Sequence, residues 1–385
     1  MRILWIPKWF PSAEHPLNGP FFVEQIEMLR KRGHQVAVFN TNPALRSSYL
    51  TGRLAIRRDE DDPRVHRADV PVCPRPSLPG QQVLATAWAR AFARRWGDAP
   101  KPEVIHAHSV LPSVLVAREL SRLWHVPYGL TEHSPSTMTI SKTSPRYRVI
   151  RRAVAEADFR LSVSDGVCQQ FADFYAVPSF STIPLPVAEA SFATPLPQGS
   201  DTFTFVHVSL IEPRKRADRV IRALGAIAQD YPQTRAVFIG GAEDVNASLT
   251  LLATECGVAD RVRLLPPTDK NGIRTQFAQS DCFVLVSSEE AGGAVYGEAM
   301  AAGLPCIASA TVGGSYYVTP QTGIVVPIDD HDALVHAMID VIERRGRGDF
   351  APEDIRAEAS RRYSEQAFVN AQIGHYERAI ADFRR

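Results

Sequence analysis

A chain of two doubly wound α/β domains is predicted here by three observations. Apolar runs of strand length alternate with helix-period segments. The alternation restarts after a proline-punctuated stretch near residue 186. In the second series, a Gly-Gly turn stands between an apolar run and a helical segment.

The first series opens with the apolar run at residues 2–7, followed by a loop rich in Pro and Gly and a helix-period segment over 21–31 that stops at Gly33. Strand-like residues 35–39 follow, then a strand over 103–108, a helix over 114–124, and strands over 128–131 and 159–163. Strand, helix and strand at this spacing make a parallel sheet with crossover helices. The second series repeats the scheme: strand 203–209, helix 217–229, strand 236–240, then strands 262–265 and 282–286. Pro184, Pro186, Pro195 and Pro197 punctuate the joint. The expected division is therefore 1–186, 187–363 and a terminal helix over 364–385 that packs back on the first domain.

A length of 385 residues suffices for two cores, and 45% hydrophobic with 9% aromatic residues describes a globular chain. A formal net charge of +1 excludes bulk nucleic-acid binding. The apolar start is too short for a signal-peptide core, and no stretch approaches the roughly 20 apolar residues of a spanning helix. Cys73, Cys168, Cys256, Cys282 and Cys306 are scattered singly, with no ligand spacing. They read as reduced residues of a cytoplasmic protein. No metal or cofactor is expected. The run Asp59-Glu60-Asp61-Asp62 contains a D-x-D pattern, but Arg57, Arg58 and Arg64 beside it favour a charged surface loop. The surrounding segment 46–79 suggests no chemistry.

The strongest chemical signal runs from Ser287 to Met300. Gly292-Gly293 stands between a strand and a helix, where backbone amides can approach an anion and the helix dipole favours phosphate. Ligands of open α/β sheets bind at this end of the strands. Glu290 before the glycines and Glu298 inside the helix are acceptors when ionised, suited to sugar and ribose hydroxyls. A tight turn with an acid near a helix start is the purely structural alternative.

Seven residues separate Glu290 from Glu298, with Ser287-Ser288 ahead and Glu298-Ala299-Met300-Ala301-Ala302-Gly303-Leu304-Pro305 behind. In this E-x7-E pattern the chain resembles the GT-B glycosyltransferases, in particular the retaining family 4. Gly313-Gly314 and the run from Thr322 to Pro327 are similar to the same family. The resemblance implies two Rossmann-like domains with parallel sheets facing across a cleft, and a metal-independent transfer from a nucleoside diphosphate sugar. By the same resemblance, Glu290 holds donor-sugar hydroxyls and Glu298 the ribose. The amides around Gly292, Gly293, Ala294 and Val295 cradle the pyrophosphate. Glu289 breaks the spacing.

After the first strand of the second domain, the family often carries an Arg and, six residues later, a Lys on the diphosphate. Lys215 stands at the second position, while the first is Ser209, which leaves Arg214 or Arg216 to compensate. The single glycine of Pro16-Leu17-Asn18-Gly19-Pro20 matches the family's loop facing the donor phosphate. His106 and His108 alternate onto one strand face. The resemblance makes His108 the cleft histidine near the reacting sugar and His133 an acceptor-side residue, with His106 structural. The Pro184-Leu185-Pro186 joint and the Tyr316-Tyr317 region depart from the family pattern.

The expected partners are thus a nucleotide-sugar donor, UDP by family frequency, and a glycan or lipid-linked acceptor. Residues 83–96, with Trp88, Phe92 and Trp96 among Arg90, Arg94 and Arg95, and residues 146–152 could rest on an anionic membrane at its inner face, or pack as surface helices on the first sheet. A non-catalytic sugar-nucleotide-binding subunit and a sugar-nucleotide epimerase of the same architecture are the competing functions.

Overall fold

The computed structural model describes residues 1–12, 15–16, 18–40, 55–69, 78–134, 138–197 and 201–385. Leu17, Cys73 and the parts of segment 46–79 at 46–54 and 70–77 lie outside the described residues. The chain divides into two compact units, Met1–Ile183 with Val369–Arg385, and Pro184–Phe368.

The first unit runs β1 (Arg2–Pro7), α1 (Pro20–Lys31), β2 (Gln35–Asn40), β3 (Ala55–Arg58), β4 (Val65–Asp69), α2 (Leu78–Trp96), β5 (Val104–His108), α3 (Leu115–Trp124), β6 (Tyr128–Glu132), α4 (Pro145–Ala155), β7 (Phe159–Ser162), α5 (Asp165–Tyr175) and β8 (Ser181–Thr182). Among the described residues its sheet has the order β3-β4-β2-β1-β5-β6-β7-β8. All pairings are parallel except β3 with β4, an antiparallel edge that the irregular, Arg- and Asp-rich sequence did not reveal. β5 and β6 are buried along their whole length, as strands covered on both faces must be.

The second unit runs α6 (Glu189–Phe192), β9 (Phe203–Val208), α7 (Ala217–Ile227), β10 (Thr234–Ile239), α8 (Glu243–Glu255), β11 (Val262–Leu265), α9 (Lys270–Ala278), β12 (Cys282–Leu285), α10 (Ala294–Ala301), β13 (Cys306–Ser309), α11 (Val312–Tyr317), β14 (Gly323–Val326), α12 (His331–Arg347) and α13 (Pro352–Tyr363). Its sheet order, β11-β10-β9-β12-β13-β14, reverses direction between β9 and β12. The order reads 3-2-1-4-5-6 in strand sequence, which places the topological switch between the loops after β9 and β12. The last helix, α14 (Glu365–Phe383), begins in this unit, and from Val369 its residues belong with the first.

Aromatic packing accounts for α2. Trp88 and Phe92 are buried, and Phe92 stacks on Phe39 with ring centroids 4.1 Å apart. Trp96 meets Trp124 at 5.5 Å. Burying one such side chain contributes about 2–3 kcal/mol. The apolar side of the helix is therefore spent on the first core, and Trp88 and Phe92 are not available to a membrane. Tyr147 and Ile150 of α4 are buried as well. Among the described residues, no helix is long and apolar enough to cross a membrane.

The Asp59–Asp62 run is engaged with arginines. Asp59 pairs with Arg67 at 2.5 Å, and Asp62 with Arg30 at 2.7 Å and Arg64 at 2.9 Å. Among the described residues, no group of three His, Cys, Asp or Glu converges as a metal site would require.

Candidate functional site

In the second unit, two loops carry most of the residues singled out from the sequence. β9 delivers Ser209 and then a short 3-10 turn, Pro213–Lys215, while β12 delivers residues 286–293 and the start of α10. The loops are tied by their backbones, with the Ser288 amide donating to the Arg214 carbonyl at 2.8 Å. Across them the Lys215 ammonium donates to Glu290 Oε2 at 2.5 Å, both side chains being largely buried. A charge-assisted contact of this length in a half-dry site is among the strong hydrogen bonds. Glu289 points outward and is exposed.

Gly293 caps α10 in a left-handed conformation (φ 65°). A β-carbon there would lie 2.7 Å from the buried ring of Tyr296, so glycine is required by both backbone and space. With no side-chain cap at this end, the first-turn amides of α10 form the positive end of the helix. Gly313 explains the second glycine pair. Its amide donates to the Glu290 carbonyl at 2.7 Å, and a β-carbon would crowd that oxygen at 3.0 Å. Ala294 and Val295 are the first residues of α10. Glu298, farther along the helix, borders a small concavity together with Ser191, Lys270 and Arg274. Those two cations on α9 were not among the residues picked from sequence, where they read as an ordinary helix surface.

Two of the expected donor residues are engaged elsewhere. The Arg214 guanidinium, about half exposed, pairs with Glu212 at 2.8 Å, and Arg216 pairs with Asp329 at 2.9 Å. Neither is held at Glu290 beside Lys215. Ser209 is bonded to His207, a residue the sequence reading passed over as strand core. His207 Nδ1 faces the Val284 carbonyl at 3.0 Å, which can only accept, so Nδ1 carries the proton. Burial lowers the His207 pKa to about 4, so the ring is neutral and Nε2 accepts from the Ser209 hydroxyl at 2.8 Å. The Ser209 hydroxyl proton is thereby spent inside the protein. Beyond that bond the Ser209 oxygen offers a lone pair and no donor hydrogen.

The first unit gathers Gly19, His108 and His133. Gly19 caps α1 at φ 75°, and Phe22, three residues on, packs against both histidines with ring centroids 5.0 Å and 5.3 Å away. Trp5 covers His108 at 4.0 Å. His108 Nδ1 and His133 Nε2 are 3.2 Å apart, so one proton lies between the rings. Desolvation lowers both pKa values, that of His133 to about 4 and that of His108 well below its usual value. Both rings are neutral at physiological pH.

His106 belongs to a separate buried chain. Trp5 Nε1 donates to the Tyr376 hydroxyl at 2.9 Å, and that hydroxyl meets His106 Nδ1 at 2.7 Å. His106 Nε2 meets Thr131 Oγ1 at 2.8 Å. Its two nitrogens are fully used, as a structural histidine requires.

Two family models match the chain. One, described as glycosyl transferases group 1, takes in residues 190–366, and the other, a glycosyl transferase 4-like domain, takes in residues 19–186. The chain belongs to the group 1 glycosyltransferases. Among sequence relatives, a D-inositol 3-phosphate glycosyltransferase of Mycobacteroides abscessus is 31% identical over 190 residues, 48% of this chain and 41% of the relative. A Bacillus subtilis (strain 168) protein, TuaC, named for glycosyl transfer in teichuronic acid biosynthesis, is 26% identical over 366 residues, 88% of each chain. The chain spans about half the length of the D-inositol 3-phosphate glycosyltransferases it first matches, 41% and 62% of two of them. Among solved structures, Anabaena Alr3699/HepE in complex with UDP superposes with a TM-score of 0.68 at 19% identity, covering 98% of this chain and 100% of that one. Likeness at that identity establishes the fold. The chain has the GT-B architecture of two Rossmann-like units.

Proposed function

We propose that this glycosyltransferase moves a sugar from a nucleoside diphosphate sugar, most simply a UDP-sugar, to a hydroxyl of a glycan or lipid-linked acceptor, with retention at the anomeric carbon. The observation that carries the reading is the Lys215–Glu290 pair beside the open N-terminus of α10. A cation, a carboxylate and a row of helix amides in one place match the three parts of such a donor: diphosphate charge, sugar hydroxyls and phosphate oxygens. UDP in the Anabaena protein supports the choice of base.

In the transfer, the acceptor oxygen bonds to the anomeric carbon as the bond from that carbon to the β-phosphate oxygen breaks. The acceptor proton passes to the departing phosphate oxygen on the same face. Lys215 and the α10 amides offset the charge that grows on the diphosphate. Glu290 orients sugar hydroxyls, Glu298 takes the ribose and the Gly19 loop serves the donor phosphate; of the neutral histidine pair, His108 serves the reacting sugar and His133 the acceptor side. No metal is assigned a role. The reading places the enzyme in the cytoplasm, acting on cell-surface polysaccharide or glycoconjugate precursors. The commitment of the Ser209 hydroxyl to His207 favours one rival, a non-catalytic sugar-nucleotide-binding subunit, because it removes a donor from the diphosphate.

Thermal unfolding with UDP, GDP and ADP tests the donor site. A nucleotide at 100 times its Kd adds about 2.7 kcal/mol, roughly 5–10 °C for a unit of this size. One base should raise Tm by that amount, and Glu298→Ala should abolish most of the rise. No rise with any base would overturn the donor assignment. NMR of the product's anomeric proton then decides retention, and an unchanged or epimerised nucleotide sugar would move the function to one of its rivals.

A further inference from the structure

We infer that Glu132 is a positioning residue that sets the His108–His133 pair by holding the backbone of two loops at once. The inference rests on the reading above that gives His108 the reacting sugar and His133 the acceptor side.

Glu132 is the last residue of β6 and is fully buried. Its Oε2 accepts from the Val110 amide at 2.7 Å and from Ser109 Oγ at 3.4 Å. Its Oε1 accepts from the His133 amide at 2.9 Å and the Ser134 amide at 3.1 Å. One carboxylate therefore joins the turn that follows β5 to the turn that follows β6. Each turn is anchored directly beside one histidine: Ser109 follows His108, and His133 follows Glu132 itself. The 3.2 Å separation of the rings depends on both turns keeping their place.

The backbone between them does not hold this geometry by preference. Ser109 has φ 78° and ψ 144°, a positive-φ conformation outside the left-handed helical well that costs a non-glycine residue about 1–3 kcal/mol. It is retained by the Ser109 amide on the Thr131 carbonyl at 2.8 Å together with the Glu132 contacts. Burial pushes the Glu132 carboxyl above its ordinary pKa, and the Val110, Ser134 and His133 amides pull it back. All four partners are donors, so an acceptor with two full oxygens is the group that satisfies them. A glutamine turns its NH2 toward one of the two amide sets, and an apolar residue withdraws the acceptor from three amides at once. A carboxylate is thus required where the two strand ends must be locked to each other, and what those ends carry is the histidine pair.

The test is Glu132→Gln in the full chain, with imidazole 15N spectra of His108 and His133 at pH 7 as the deciding readout. The variant should change the 15N shifts of both rings, because the shared proton depends on their spacing, and keep the His106 tautomer, which Tyr376 and Thr131 hold. UDP should still raise Tm as in the wild type, since its expected site lies in the other unit. UDP release from UDP-glucose should fall at least tenfold in kcat with KM within twofold. A role confined to fold stability would lower Tm while leaving both imidazole spectra and kcat unchanged, and that result overturns the inference. If Glu132→Gln does not fold, Glu132→Asp keeps the charge but withdraws it by one methylene, and the same ring shifts are expected in smaller degree. Should His108→Ala keep full kcat, the reading of His108 at the reacting sugar fails, and the spectra alone then decide what Glu132 does.

Discussion

Replacing Glu290 by glutamine removes the charge that holds the Lys215 ammonium 2.5 Å away and keeps nearly the same volume. If Lys215 serves the diphosphate and Glu290 the sugar hydroxyls, as proposed, binding of the donor must part the two residues. A nucleoside diphosphate without its sugar must break the pair and returns nothing to the carboxylate. A hydrogen bond to a charged group contributes about 1.5–3 kcal/mol, and each 1.4 kcal/mol is tenfold in affinity. Glutamine still offers Lys215 a carbonyl oxygen, so the lower end applies, and UDP alone should bind Glu290→Gln about tenfold tighter than wild type. A UDP-sugar gains the same freed lysine but loses a charge-assisted contact to its hydroxyls, so its affinity should change little or fall. Calorimetric titration of UDP and UDP-glucose into wild type, Glu290→Gln and Lys215→Met reads both terms. The Lys215→Met change should erase the gain when combined with Glu290→Gln. Weaker or unchanged UDP binding by Glu290→Gln would refute the competition between Glu290 and the diphosphate for Lys215.

Gly293→Ala forces a left-handed β-carbon within 2.7 Å of the Tyr296 ring and should cost about 2 kcal/mol or more, read as a lower urea midpoint and a lost UDP response. His207 has a folded pKa of about 4 against an unfolded value near 6.5, so it contributes stability that is present above pH 6.5 and lost as pH falls toward 4. That loss is about 2 kcal/mol by pH 5; urea unfolding at pH 7 and pH 5 should differ less in His207→Leu than in wild type by that amount, and equal pH sensitivity would count against a neutral buried ring. Arg214→Ala breaks only an exposed pair with Glu212, so stability should move by less than about 0.5 kcal/mol and UDP affinity by less than twofold, whereas Lys215→Met should lose at least tenfold.

What the sequence discloses follows the physics of each signal. Parallel strands covered on both faces are mostly apolar, so β5, β6, β9 and β12 stand out in the chain, and their helices follow from period and punctuation. The antiparallel β3–β4 edge is half solvated and charged, and its pattern is that of a loop. Gly293 and Glu290 are legible because a strand–glycine–helix turn is local: all its parts lie within a few residues. The Lys215–Glu290 contact spans 75 positions, so no spacing discloses it, and a resemblance supplies the two residues without their mutual bond. Glu132 and His207 escape for a different reason. Each is a polar residue in a buried strand, where the default expectation is a satisfied core group, and that expectation is correct as far as it goes. The sequence does not reveal what satisfies them. For His207 it is the hydroxyl that stands where a cation was expected; for Glu132 it is the two turns that carry the histidines. A buried polar group is a structural group by its energetics, and it bears on function through the partners to which those energetics bind it.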